Sequence, residues 1–294
     1  IDGEIIKEII DPIYICPLCK QAFFKESLSQ ELENPLTLED VPPVSLGGKP
    51  LILTCKKCNN SAGTKLDKPL VNHLKESSFL KLQPFGQVKG KVWINDLKKV
   101  PTIIKIGKEG ELIFQVDFKN SIVKQQFKEF ESTNNEININ FEFSTTKADL
   151  VKSALLRIGY LLAFNYFGNH FLIDGENIDP IISQISNPEK RILPHSSVSE
   201  LKISDGVKDG LNILMEPKCF KSYFAVFTLL INNYRRQFGV FLPGPGKDGW
   251  QKYENIINFK KSTEMTFTNI SFREMIKDKK LVCGYKEIWA NTNK

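Results

Sequence analysis

Four cysteines stand in two pairs near the start of the chain, Cys16-Pro-Leu-Cys19 and Cys55-Lys-Lys-Cys58. Each C-x-x-C knuckle can turn two sulfurs toward one ion, and four thiolates so arranged suit tetrahedral zinc. A redox C-x-x-C is the rival chemistry, but it calls for one motif beside a βαβ unit rather than two knuckles. Lys20, Lys56 and Lys57 flank the cysteines and are expected to favour the thiolate form. Such a site has a physical purpose. A segment of about seventy residues with few large apolar side chains closes too small a core to fold unaided. Structural zinc contributes roughly 10–16 kcal/mol of apparent binding energy to folding.

Between and after the knuckles runs LTLEDVPPVSLGGKPLILTCKKCNNSAGTKLD, residues 36–67, with an acidic pair, Glu39-Asp40, and an asparagine pair, Asn59-Asn60. Leu36-Thr-Leu-Glu-Asp40 reads as a short strand ending in the acids. Val41-Pro-Pro-Val-Ser-Leu-Gly-Gly48 must be a loop, because the prolines lack N–H donors and Gly-Gly supplies unusual dihedrals. Pro50-Leu-Ile-Leu-Thr54 is a second strand returning to Cys55. Asn59 or Asn60 is expected to cap a short helix running to Asp67. The bland reading of Glu39-Asp40 is a solvated strand end; the chemical one is a cation site between a strand end and a helix start.

These spaced elements resemble the HNH, or ββα-metal, nucleases. Zinc-bearing members of that family read C-x-x-C, an acid–His pair followed by x-P, a Gly-Gly loop, then C-x-x-C-N-x-x-K-G. The matching residues are Cys16 and Cys19, Glu39-Asp40-Val41-Pro42, Gly47-Gly48 and Cys55-Lys-Lys-Cys58-Asn59-Asn-Ser-Ala-Gly63. The likeness covers roughly residues 14–75, about a quarter of the chain. It implies that Glu39 and Asn59 hold a catalytic divalent cation, Mg²⁺ or Mn²⁺. That ion would offset charge on the scissile phosphate while a base at position 40 aims water in line. The implied activity is endonucleolytic hydrolysis of DNA, and by analogy of layout a role in bacterial defence against phage. Here the sequence departs from the family, since Asp40 stands in place of the histidine. A carboxylate of ordinary pKa about 3.9, against about 6.5 for histidine, is the weaker base at neutral pH. Either Asp40 joins Glu39 on the ion and a metal-bound hydroxide attacks, or the fold is catalytically degenerate and binds nucleic acid or scaffolds a complex.

Charge fits a phosphate-bearing partner without demanding one. The net charge of the 294 residues is +6. Between Gly47 and Lys75, Lys49, Lys56, Lys57, Lys65, Lys68 and Lys75 face one acid, Asp67. A solvated face is the plain alternative. In the nucleic-acid reading Lys49, Lys56, Lys57, Lys65 and Lys68 contact phosphates without reading sequence, and DNA is expected ahead of RNA. Of the three histidines only His73 is near in sequence to this site, and an exposed side chain on a lysine-rich helix is its simpler role. No apolar run is long enough to span a membrane, and Ile1–Ile10 lacks the order of a signal peptide. Two cysteine knuckles plus isolated Cys219 and Cys283, read as buried thiols, suggest a reducing, cytoplasmic setting.

The expected class is α+β, with a zinc-stapled unit at residues 1–78 and a larger α+β domain at 79–294. Gln87–Ile94 and Glu136–Phe143 alternate as strands, and 102–106 and 111–118 flank a Gly107–Gly110 turn as a hairpin. Thr146-Lys-Ala-Asp149 opens a helix running to Phe167, apolar nearly all round, with Gly168-Asn169 as its stop. Phe224–Tyr234 reads as a second apolar helix, and Leu242–Trp250 as a linker. No phosphate-binding glycine loop, dinucleotide fingerprint or GxSxG turn occurs in 79–294. Target recognition or binding of a protein partner is the role left for it.

Overall fold

The computed structural model describes residues 13–94, 99–116, 139–173, 175–203, 207–216, 222–244, 246–258 and 266–269, with position 124. The opening Ile1–Ile10, Cys219, Cys283 and the end of the chain lie outside these residues. The structure is mixed α and β, as expected. A two-residue ladder, β1 (Tyr14–Ile15) with β2 (Ala22–Phe23), carries the first knuckle. A longer antiparallel hairpin, β3 (Leu36–Val41) with β4 (Lys49–Cys55), follows. Its chain runs directly into α1 (Lys56–Ala62), a π-helical turn over Gly63–Asp67, and α2 (Lys68–Leu80). The strand–loop–strand–helix order is therefore present, with two differences. The helix begins at Lys56 with Cys55 as its N-cap, so Asn59 sits in the first turn rather than at the cap. It also continues past Asp67 to Leu80, because Leu66, Leu70 and Leu74 keep a buried stripe at helical spacing.

A four-stranded antiparallel sheet comes next, in the order β7–β6–β5–β8, from β5 (Gln87–Ile94), β6 (Val100–Ile106), β7 (Leu112–Val116) and β8 (Ile139–Phe143). It curls: Phe114 and Phe141, from its two edge strands, approach to 5.8 Å between ring centroids. Val88, Ile104, Ile106 and Phe79 fill the concave side.

The helix α3 (Ala148–Phe167) is the spine, with most of its residues buried all round. Its start differs from a capping box. Lys147 is the N-cap, and Thr146 instead donates through its N–H and hydroxyl to the Glu76 carboxylate of α2, both at 2.8 Å. α4 (Gly175–Ser186) packs beside it. A five-stranded antiparallel sheet, β13–β10–β11–β12–β9, lies against it, built from β9 (Val198–Leu201), β10 (Gly210–Glu216), β11 (Ser222–Ile231), β12 (Tyr234–Pro243) and β13 (Thr266–Asn269). α5 (Gly249–Asn258) covers its other face.

The helix expected over Phe224–Tyr234 is thus a strand and a hairpin turn. Asn232 and Asn233 both adopt positive φ, 48° and 66°, the conformation of a two-residue turn that asparagine tolerates. β11 lacks alternation because both faces are covered. Tyr223 packs on Phe167 of α3, while its neighbour Phe224 packs on Phe241, which reaches Tyr253 of α5. Gly159 of α3 has a spacing reason: a Cβ there would lie 2.6 Å from Val240, so only glycine lets the helix seat on the sheet. The core passes without a seam through the expected boundary at 78, joining Leu36, Leu66 and Leu74 to Leu155, Phe164 and Val240. Among the described residues no helix is long and apolar enough to cross a membrane.

Candidate metal centre and the acidic pair

Each knuckle is a product of local backbone. In the first, the Cys16 N–H donates to the Gln21 carbonyl and the Lys20 N–H to the Cys16 carbonyl, both at 2.9 Å, closing a turn around Cys19. In the second, Cys55 ends β4 and Cys58 lies in the first turn of α1. Long-range bonds press the two together. Tyr14 Oη donates to the Leu53 carbonyl at 2.6 Å, and Tyr160 Oη of α3 to the Pro17 carbonyl at 2.7 Å. All four sulfurs fall within 4.8 Å of one another, with Cys19 and Cys55 at 3.9 Å. Tetrahedral zinc with bonds of about 2.3 Å separates its sulfurs by about 3.8 Å, so the donor set fits this ion. The Cys55 N–H points at Cys16 Sγ at 3.4 Å, the outer contact that a ligating thiolate uses.

The thiols compete for negative charge. A hydrogen bond from Cys58, aided by backbone N–H groups of Cys55, Leu18 and Cys19, lowers Cys16 to about 5. Burial raises Cys19 to about 11. The bond to Cys16, then burial, drives Cys58 far above its ordinary range. One thiolate discourages the next, so four together need a cation, and zinc binding must release protons. Two of the three flanking lysines spend their charge on carboxylates, and no lysine is among the groups that lower a thiol here. Lys20 is paired with Asp179, and Lys57 with Glu33 at 3.2 Å. Sulfur and backbone donors take the part expected of them.

The acidic pair is arranged differently. Glu39 is buried at 3 % exposure, and its carboxylate accepts from Thr54 Oγ1 at 3.1 Å and from Arg157 of α3 through a close ion pair. Arg157, 1 % exposed, also donates to Asp67 at 2.7 Å. One guanidinium thus lies between two acids. Burial raises both Glu39 and Asp67, against the opposing pull of Arg157, and Asp67 pushes Glu39 further up. Asp40, the next residue, is half-buried, and its carboxylate makes no hydrogen bond or ion pair with a described residue. Asn59 donates to Thr37 Oγ1 at 3.1 Å, which ties α1 to β3 two residues before Glu39.

The structure therefore brings Cys16, Cys19, Cys55 and Cys58 together as one centre. It sets Asn59 against the strand that carries Glu39 and Asp40. Among the described residues the four cysteines are the one group of three or more His, Cys, Asp or Glu side chains close enough to share an ion. His73 points elsewhere, beside Arg236 and Glu200 of the five-stranded sheet, where burial and then Arg236 lower its pKa. Lys49, Lys56, Lys57, Lys65 and Lys68 are all exposed. Sequence reasoning missed Arg157 and Asp67. The available signal was an arginine inside an otherwise apolar helix, which must find a carboxylate if it is buried. Comparison with known proteins gives no match, whether to a family model, a curated protein or a solved structure. The HNH likeness rests on the motif and on the strand–strand–helix order.

Proposed function

We propose that this chain uses a zinc-stapled ββα module of the HNH type to bind nucleic acid, DNA ahead of RNA, without hydrolysing it through Glu39. The ion pair between Glu39 and Arg157 carries this reading. A carboxylate at 3 % exposure, already bonded to a buried guanidinium and a threonine, has its cation from within the chain. A divalent ion at Glu39 would have to displace Arg157 and leave that charge buried beside it, which is strongly unfavourable. The exposed lysines at the start of the α1–α2 helix support phosphate contact, since Lys56, Lys65 and Lys68 have no ion-pair partner among the described residues. Residues beyond 80 would then supply target or partner recognition.

One observation favours hydrolysis as a second reading. The Asp40 carboxylate has no partner among the described residues, so with Asn59 it could hold Mg²⁺ or Mn²⁺. Incubating the zinc-loaded chain with plasmid and either ion, beside Asp40→Ala and Asn59→Ala, separates the two. Retarded but intact plasmid at every metal concentration is the expected result. Nicking that both substitutions abolish would establish the second reading and overturn the first.

A further inference from the structure

We propose that the convex face of the curled β5–β8 sheet is a separate platform for single-stranded nucleic acid, distinct from the lysines of the α1–α2 helix. The strand period builds it. In β5 the inward residues Val88 and Val92 are buried, which turns Lys89, Lys91 and Trp93 outward. In β6 the buried Ile104 and Ile106 leave Ile103 and Lys105 on the same outer face, with Lys89 opposite Ile103 and Gln87 opposite Lys105. Lys99 joins them, its ammonium 4.3 Å from the centre of the Trp93 ring.

The charge balance is one-sided. Lys89, Lys91, Lys99 and Lys105 face a single outward carboxylate of these strands, Glu142, which holds Lys99 at 2.8 Å and Lys91 at 3.7 Å. Four positive charges less one leave three uncompensated among the described residues, and Lys89 and Lys105 have no ion-pair partner there. Beside them a hollow of about 460 Å³ is lined by Lys89, Pro101, Ile103 and Gln115. The surface thus joins a cationic track, an indole and an apolar floor on rigid strands.

Those are the parts single strands require. Phosphates are met by ammonium groups and bases by an aromatic face, without a code of base-edge hydrogen bonds. Trp93 is half-buried, so one ring face suffices for one unstacked base, and a duplex cannot offer that base without opening. Lys99 leaves the ring as the base arrives and moves to a phosphate. An acidic protein segment would use the lysines but has no need of the indole, and so the ligand commits to nucleic acid.

The test uses the full, zinc-loaded chain and a labelled oligo-dT of about twelve nucleotides, within the site size of such platforms. Anisotropy and tryptophan quenching are read together. Trp93→Leu should weaken binding about tenfold and remove most quenching, while Trp93→Phe restores affinity. Lys89→Gln with Lys105→Gln should weaken it by at least tenfold and lower the salt slope by about 1.4, two phosphate contacts at about 0.7 each. A Lys56→Gln, Lys65→Gln, Lys68→Gln variant should keep oligo-dT affinity within twofold and lose duplex. Unchanged affinity in both sheet variants overturns the platform even if the helix variant still loses duplex, which leaves the nucleic-acid reading standing. Equal competition by polyglutamate, without quenching, overturns it in favour of an acidic protein. Absence of binding to strand and duplex alike overturns both.

Discussion

Two polar constellations lie close together in the first eighty residues, and each reads in sequence as a place for a cation. At the cysteine centre, four sulfurs converge within 4.8 Å and the surrounding donors are backbone N–H groups, which carry no full charge. At Glu39, the acids converge on Arg157, a full positive charge delivered by α3. The first is thus open to an ion from solution, and the second is satisfied within the chain. The difference teaches that ligand-like residues define a metal site only where the fold brings no cation of its own.

This contrast can be broken most severely at the cysteines. Cys55→Ser, or chelation of the chain, should take zinc from one per chain to none. It should also remove about 10 kcal/mol or more of apparent binding energy, read as lost hydrogen-exchange protection over β3, β4 and α1. Retention of that protection without metal would show that the shared core alone holds the module.

Arg157→Met should rank next, at about 3–5 kcal/mol in denaturant unfolding, because it leaves buried Glu39 and half-buried Asp67 without their shared partner. Its pH dependence gives the sharper reading. Burial raises Glu39 and Asp67 already in the native chain, so the folded state holds protons more tightly than the unfolded one. Stability from these groups is then fullest below the ordinary carboxylate range and falls as pH rises through their raised values. Without Arg157 both should rise further, so the defect should be largest at neutral pH and shrink on acidification. Adding Glu39→Gln should recover part of the loss. A defect that does not change with pH would mean that Arg157 acts through packing alone.

Asp40→Asn should have the smallest effect, within about 0.5 kcal/mol, because its carboxylate has no described partner to lose. A shift several times larger, measured by the same unfolding curve, would reveal a contact that places Asp40 with its buried neighbour rather than apart from it.

Much of the local structure was legible. Alternation located β5, the Gly107–Gly110 turn located the β6–β7 hairpin, and a long apolar run with Gly168 at its end located α3. β11 was illegible because α3 and α5 cover both its faces, which erases the two-residue period and leaves a run that looks helical. The Asn232-Asn233 turn was the overlooked cue.

By itself the sequence determined the knuckles, since a C-x-x-C turn and a strand end followed by a helix start are set by a few neighbouring residues. It likewise determined the alternation that lines Lys89, Lys91 and Trp93 on one face. Only the tertiary structure decided what Glu39 meets. Arg157 lies 118 positions further on, and no local period links the two. Burial settled the matter, because a guanidinium carried into the core by an apolar helix must find carboxylates there, and Glu39 and Asp67 are within reach.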